Sequence, residues 1–310
     1  MKRSYSIALT VGLVLIVLVI IAAILQSLLT STDTTPAVVV EPEEDTSIEL
    51  TEEPVQQQVL GQSVEGRDIE VFHFGSGDTR VLLVGGVHGG YEWNSILLAY
   101  EMIDYFKVNA DAIPEALTID IIPNLNPDGL YIATTLEGRF TADEITDYSM
   151  HTTGTGRFNA NNVDLNRNFG CNWAPESSWR GQRVNAGSAP FSEPEAALLR
   201  DFVFETNPIA AAFWHSQANN VYASECEDGP LELTLAIMNA YANAANYGAV
   251  PVFDAYPITG DVEGWLASQG VAAITVELQG RLTSEWDRNI AGTLAMLAAI
   301  AEHSQRALPQ

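Results

Sequence analysis

The run Val81-Leu82-Leu83-Val84, apolar at every position, limits the fold of this chain more than any other feature. A strand with one wet face alternates apolar and polar side chains, so an unbroken apolar strand is buried on both faces and needs covering layers on each side. Strands are read at 69–74, 81–86, 117–123, 209–215 and 271–278, segments in which apolar residues predominate. Between them, helical spacing of apolar residues predicts helices over 93–106, 193–205, 231–247 and 289–303, with Ser192 as N-cap of the second. The expected class is α/β: a mixed, largely parallel sheet flanked by helices on both faces.

The N-terminal part has a different character. Residues 7–29 contain no charged side chain, and the core of this run, 7–25, spans about 28 Å as a helix, enough to cross a bilayer. The run is longer than the apolar stretch of a cleaved leader, so it is read as an uncleaved transmembrane signal anchor preceding the α/β domain. Lys2 and Arg3 lie before it, and no further Lys or Arg occurs until Arg67, which puts residues 1–6 in the cytoplasm and the remainder outside. Residues 30–57 carry eight acidic side chains and no basic one, the pattern of a self-repelling Thr/Pro-rich tether. Residues 58–306 are left as one catalytic-sized domain. With 40 Asp and Glu against 14 Lys and Arg, the net charge of -26 excludes nucleic acid as a partner. Nothing in the sequence sets an oligomeric state.

Strand ends of a parallel sheet are where chemistry is placed, and three of them carry reactive groups. They read Gly85-Gly86-Val87-His88-Gly89-Gly90-Tyr91-Glu92, Phe213-Trp214-His215-Ser216 and Ile274-Thr275-Val276-Glu277-Leu278. Two histidines and one carboxylate suffice to hold Zn²⁺ with a fourth position open, and the other carboxylate is then available as a base. His73, His151 and His303 stand outside any such grouping and are read as ordinary polar residues.

These three elements, with Asn126-Pro127-Asp128-Gly129 and Asn162-Val163-Asp164-Leu165-Asn166-Arg167-Asn168-Phe169, occur in an order that resembles the zinc carboxypeptidase family of carboxypeptidases A and B. The resemblance extends from the Gly61-Gln62-Ser63-Val64-Glu65-Gly66-Arg67 segment to Glu277. It implies one zinc per chain, held by His88, Glu92 and His215, with Glu277 as general base and acid. It further implies that Arg157 stabilises the oxyanion, that Asn166 and Arg167 hold the substrate's terminal carboxylate, and that Tyr256 covers the bound substrate. Seven residues after that tyrosine, Glu263 takes the place in the pocket for the terminal side chain, which predicts a preference for Lys, Arg or the amine end of a diamino acid. Asn126-Pro127-Asp128-Gly129 is read only as a turn that shapes the groove.

In one respect the sequence departs from the family: His88 and Glu92 are four apart rather than three, without the arginine that often separates them. A turn running into a helix can still return the carboxylate to the same side. Cys171 and Cys226 fall in loops expected near the site, and an oxidising exterior permits a disulfide between them, two free thiols being the other reading. No Asn-x-Ser/Thr acceptor occurs, which leans towards a prokaryotic source and, with the anchor at 7–29, towards a membrane-anchored member of bacterial type. The expected activity is removal of C-terminal residues from peptides. The alternatives are a peptidoglycan stem-peptide hydrolase acting on muropeptides, a related zinc amide hydrolase or deacylase, and a surface binding module without catalysis.

Overall fold

The computed structural model describes Gln26, residues 56–254 and residues 256–307. The expected anchor at 7–29 and all but the end of the tether lie outside the described residues, apart from Gln26, which is helical and exposed. Among the described residues, no helix is long and apolar enough to cross a membrane.

The domain is built on an eight-stranded sheet in the order β1-β2-β4-β3-β7-β10-β8-β9. Its strands are β1 (Gln56–Gln62), β2 (Asp68–Gly75), β3 (Thr79–Val84), β4 (Leu117–Ile122), β7 (Ala210–Ser216), β8 (Asn220–Ala223), β9 (Gly248–Val250) and β10 (Ala272–Leu278). The central set β4-β3-β7-β10 is parallel throughout. β1, β2 and β8 pair antiparallel around it, and β9 lies parallel to β8. A small separate hairpin consists of β5 (Glu176–Trp179) and β6 (Gln182–Asn185).

The apolar runs are buried on both faces, as their composition requires. Val81 and Leu83 join one core cluster, and Leu82 and Val84 the other. The first face is covered by α1 (Trp93–Val108), α4 (Glu232–Ala245) and α6 (Trp286–Ala307). The second is covered by α3 (Pro194–Thr206) and α5 (Val262–Ser268). A further short helix, α2 (Pro127–Thr134), follows β4.

Two local expectations are corrected. Ser192 does not cap α3, because the helix starts at Pro194 and the N-cap position therefore falls to Glu193. Ser192 Oγ instead donates to Glu193 Oε1 and accepts from Asn168 Nδ2, fastening the loop ahead of the helix. Asn126-Pro127-Asp128-Gly129 is a helix start rather than an isolated turn: Asn126 Oδ1 accepts from Gly129 N at 2.8 Å, and Pro127 stands in the first turn of α2. The strands β1, β8 and β9 and the hairpin are short, polar or alternating, so apolar runs do not reveal them. The chain leaves β3 for β4 on one side and later returns to β7 on the other, so the switch in strand order falls between β3 and β7. A crevice at the carboxyl ends of these strands is where an open α/β sheet binds its ligand.

Candidate metal centre and substrate pocket

His88 lies just past the end of β3, and His215 is the penultimate residue of β7. Glu92 ends a single 3-10 turn, Gly89–Glu92, which runs directly into α1. This turn absorbs the fourth residue between His88 and Glu92. It is open only to glycine at position 89, where φ is +46° and an added Cβ would approach the Gly156 carbonyl oxygen to 2.7 Å.

The three donor atoms converge. His88 Nδ1 is 3.1 Å from Glu92 Oε2, His215 Nδ1 is 3.0 Å from that oxygen, and the two Nδ1 atoms are 3.1 Å apart. Four ligands around zinc at about 2.1 Å stand about 3.4 Å from one another, so a triangle of this size matches one zinc face with little adjustment. All three residues are buried. Burial pushes the Glu92 carboxyl up, yet the two imidazoles hold it well below the usual carboxylate range.

Each ring presents its second nitrogen to another buried carboxylate. His88 Nε2 faces Asp164 Oδ1 at 3.6 Å, and His215 Nε2 faces Glu263 Oε1 at 3.2 Å. Such partners fix which ring nitrogen is free for metal and orient the ring. Burial pushes the His215 imidazolium down, but Glu263 and Glu92 outweigh it and hold the ring's pKa at about 10. Asp164 also takes two hydrogen bonds from Arg157, at 3.0 and 2.9 Å, and Arg157 and His88 together keep it ionised despite burial.

Glu277 is set by register. β10 pairs with β7 so that Glu277 stands beside His215, with both side chains on the α3/α5 face. Its Oε2 is buried and has no hydrogen-bond partner. Burial and the nearby Glu92 charge push its pKa up to about 7, against the opposing pull of His215 and Arg281.

These residues open into a cavity of about 580 Å³ that also receives Arg157, Asn166, Arg167, Tyr256 and Glu263, so every metal, catalytic and substrate residue expected from the sequence lines one space. Asn166 accepts from Val262 N at 2.9 Å, tying its loop to the start of α5 and leaving its NH₂ group unclaimed by that bond. Arg167 donates to the Asn166 carbonyl at 2.5 Å, and its Nε is buried without a partner. Tyr256 is 49% exposed at the rim, its ring 4.9 Å from that of Phe253. Glu263 is only 2% exposed: Thr275 Oγ1 donates to it at 3.1 Å, and His215 keeps its pKa low against burial. Its neighbour Asp261 caps α5 through Gly264 N, and burial together with the Glu263 charge raises its pKa to about 6.

Residues 49–286 match the zinc carboxypeptidase family. The chain belongs to that family. Its domain has the zinc carboxypeptidase fold, and the chain spans less than half the length of the curated relatives it matches. Among curated proteins it is similar to carboxypeptidase Z of Rattus norvegicus, 33% identical over 123 residues, a match covering 36% of this chain and 17% of the relative. Among solved structures it resembles thrombin activatable fibrinolysis inhibitor, with a TM-score of 0.64 and 20% identity over 82% of this chain and 70% of the other. It also resembles the murein-tripeptide amidase of Escherichia coli O157, with a TM-score of 0.52 and 21% identity over 83% of this chain and 94% of the other. At these identities the two structural likenesses speak for the fold.

In this zinc carboxypeptidase domain, Cys171 and Cys226 are joined in a disulfide with Cα atoms 5.8 Å apart, which pins together two loops lining the cavity. Asn126 reaches the site as well, its Nδ2 donating to the Arg157 carbonyl at 3.3 Å. The sequence reading missed Asp164 as the shared partner of His88 and Arg157, Glu263 as the partner of His215, and the wall formed by Trp179, Arg180 and Arg281. The only signal for Asp164 was its place two residues before Asn166. The wall gave none, because a hairpin and a turn distant in sequence build it.

Proposed function

We propose that the chain is an exopeptidase that removes C-terminal residues from peptides, with Glu277 as general base and acid. The observation that carries this reading is Arg167: a buried guanidinium in the cavity with no carboxylate of its own, beside Asn166, suits a carboxylate brought by the substrate. Zinc held by His88, Glu92 and His215 would supply Lewis acidity, polarising the scissile carbonyl and making water easier to deprotonate. Glu277, with one oxygen unclaimed, takes the proton of the attacking water and passes it to the leaving nitrogen. Arg157, held in place by Asp164, donates to the oxygen on which negative charge develops. Tyr256 closes over the bound end. Glu263, with Asp261, gives the pocket for the terminal side chain an acidic wall and a preference for Lys, Arg or the amine of a diamino acid.

The deciding experiment compares peptides ending in a free carboxylate with their C-terminal amides. The free acids should be favoured at least tenfold in kcat/KM, and Arg167→Ala should raise KM and narrow that advantage. Equal cleavage of amides by the parent protein removes the exopeptidase reading. A second reading, hydrolysis of peptidoglycan stem peptides, is supported by the likeness to the murein-tripeptide amidase and by the acidic pocket, which suits a diamino acid. A mixed peptide and muropeptide library separates the two.

We further propose that the domain works outside the cytoplasm, tethered by residues 7–29. The charge asymmetry around that run and the Cys171–Cys226 disulfide support this.

A further inference from the structure

Among the described residues, every arginine has a carboxylate ion-pair partner except Arg167, Arg180 and Arg281. All three line the same cavity. In a chain with 40 acidic and 14 basic residues, an arginine outside any direct ion pair is the exception, and three in one cavity keep guanidinium donors uncommitted although Glu92, Glu225, Asp261, Glu263 and Glu277 line the same space.

Arg180 and Arg281 sit apart from Arg167 in their contacts. With Arg157 they surround one aromatic pair: the guanidinium carbons of Arg157, Arg180 and Arg281 lie 5.9, 5.9 and 4.3 Å from the centre of the Tyr91 ring. Arg157 and Arg180 also lie 4.6 and 4.9 Å from the centre of Trp179, which packs edge-on against Tyr91. Arg281 donates to the Ser216 carbonyl at 2.9 Å, while its Nε is buried and unpartnered. The cluster therefore adjoins the metal centre through Tyr91, which precedes Glu92, and through Ser216, which follows His215.

We infer that Arg180 and Arg281 form an anionic subsite that receives a second carboxylate of the substrate, carried on the acyl side of the scissile bond. This rests on the carboxypeptidase reading, which fills Arg167 with the terminal carboxylate. On that same reading the leaving residue's side chain meets Asp261 and Glu263, which would repel an anion there. The acyl portion is what remains. Planar guanidiniums held against aromatic rings keep their orientation and present paired donors to a carboxylate. Two sources share this chemistry: the side chain of an α-linked Glu, and the free α-carboxylate of a γ-linked Glu.

The test uses the zinc-loaded full chain and four peptides with the same terminal Lys: N-acetyl-Ala-Glu-Lys, its Gln counterpart, the γ-linked Glu isomer, and that isomer with its α-carboxylate amidated. At least one acid should exceed its amide by tenfold or more in kcat/KM, and the pair that does so identifies the source. Arg180→Gln, at an exposed position, should cut that ratio threefold or more, and Arg180→Gln with Arg281→Gln should bring it near one. The same ratios are then read as dissociation constants in Glu277→Gln, where turnover does not intervene. Ratios near one in the parent for both pairs, or a ratio unchanged in the double variant, overturn the subsite. If no peptide is cleaved, the carboxypeptidase reading alone fails, and the binding ratios still decide between a subsite and none.

Discussion

Trp214 and His215 are neighbours on β7, yet their side chains enter opposite faces of the sheet and two different kinds of buried polar cluster. On the first face, Trp214 Nε1 donates to Tyr241 Oη at 3.0 Å, Tyr241 donates to Asn289 at 2.8 Å, and the Asn289 amide donates to Ser284 O and Tyr247 Oη. That chain is closed within the protein. On the second face, His215 leads to Glu92, Glu263 and Glu277, with Glu277 Oε2 and Arg167 Nε left without partners. Buried polar groups in a stable fold are nearly all satisfied, so a cluster with capacity to spare is arranged for something that binds there. The first cluster serves stability, and the second gives up some of it to keep donors and acceptors free.

Exchanging single atoms on the two faces should separate these roles. The largest effect is expected for Glu277→Gln, which keeps the shape but removes the base: kcat should fall by about 10²- to 10⁴-fold with zinc content unchanged. Near-normal turnover in that variant would return Glu277 to the structural class.

Next come the carboxylates behind the metal ligands. Asp164→Asn and Glu263→Gln should each weaken zinc binding by about 10- to 100-fold, read by competition with a chelator. If only one does so, the two histidines are not equivalently supported.

A smaller effect, on stability alone, is expected from Tyr241→Phe. It strands the Trp214 N–H and one Asn289 oxygen and should cost about 1–3 kcal/mol in denaturant unfolding while leaving zinc affinity intact. Loss of zinc in that variant would show that the two faces are coupled through β7.

The smallest effect is a proton. With its pKa held at about 10, His215 of the metal-free protein is protonated near neutral pH, and zinc must displace that proton. Zinc affinity should therefore rise with pH below about 10, with close to one proton released per zinc from this ring, measurable by calorimetry in buffers of different ionisation enthalpy. Glu277 has the complementary sign: its pKa is raised to about 7, it must be ionised to act as a base, and a bound cation pulls it lower. The acid limb of kcat/KM should thus fall at or below pH about 7.

The centre of the sheet and both candidate ligand histidines were legible in the sequence because apolar strands and the reactive residues at their ends are local patterns. The runs at 69–74 and 117–123 became β2 and β4 within a residue or so at each end. Glu92 meets the two histidines despite its irregular spacing because a 3-10 turn, itself a local object, carries the residue round. Ser192 misled because the helix begins one residue later than a Ser192 cap requires, with Glu193 in the N-cap position and Pro194 in the first turn.

What the sequence determined by itself, then, was the set of groups available: an apolar sheet, two histidines and two carboxylates at strand ends, and an Asn-Arg pair between them. The tertiary structure decided their partners. Parallel register set Glu277 beside His215, the start of α5 brought Glu263 behind the same ring, and the β5-β6 hairpin brought Arg180 to Tyr91, 89 positions away. Chain spacing encodes helical and strand periodicity over a few residues. The neutralisation of a charge depends on which distant segments meet, and that is settled only when the sheet closes its order and the loops pack over its carboxyl edge.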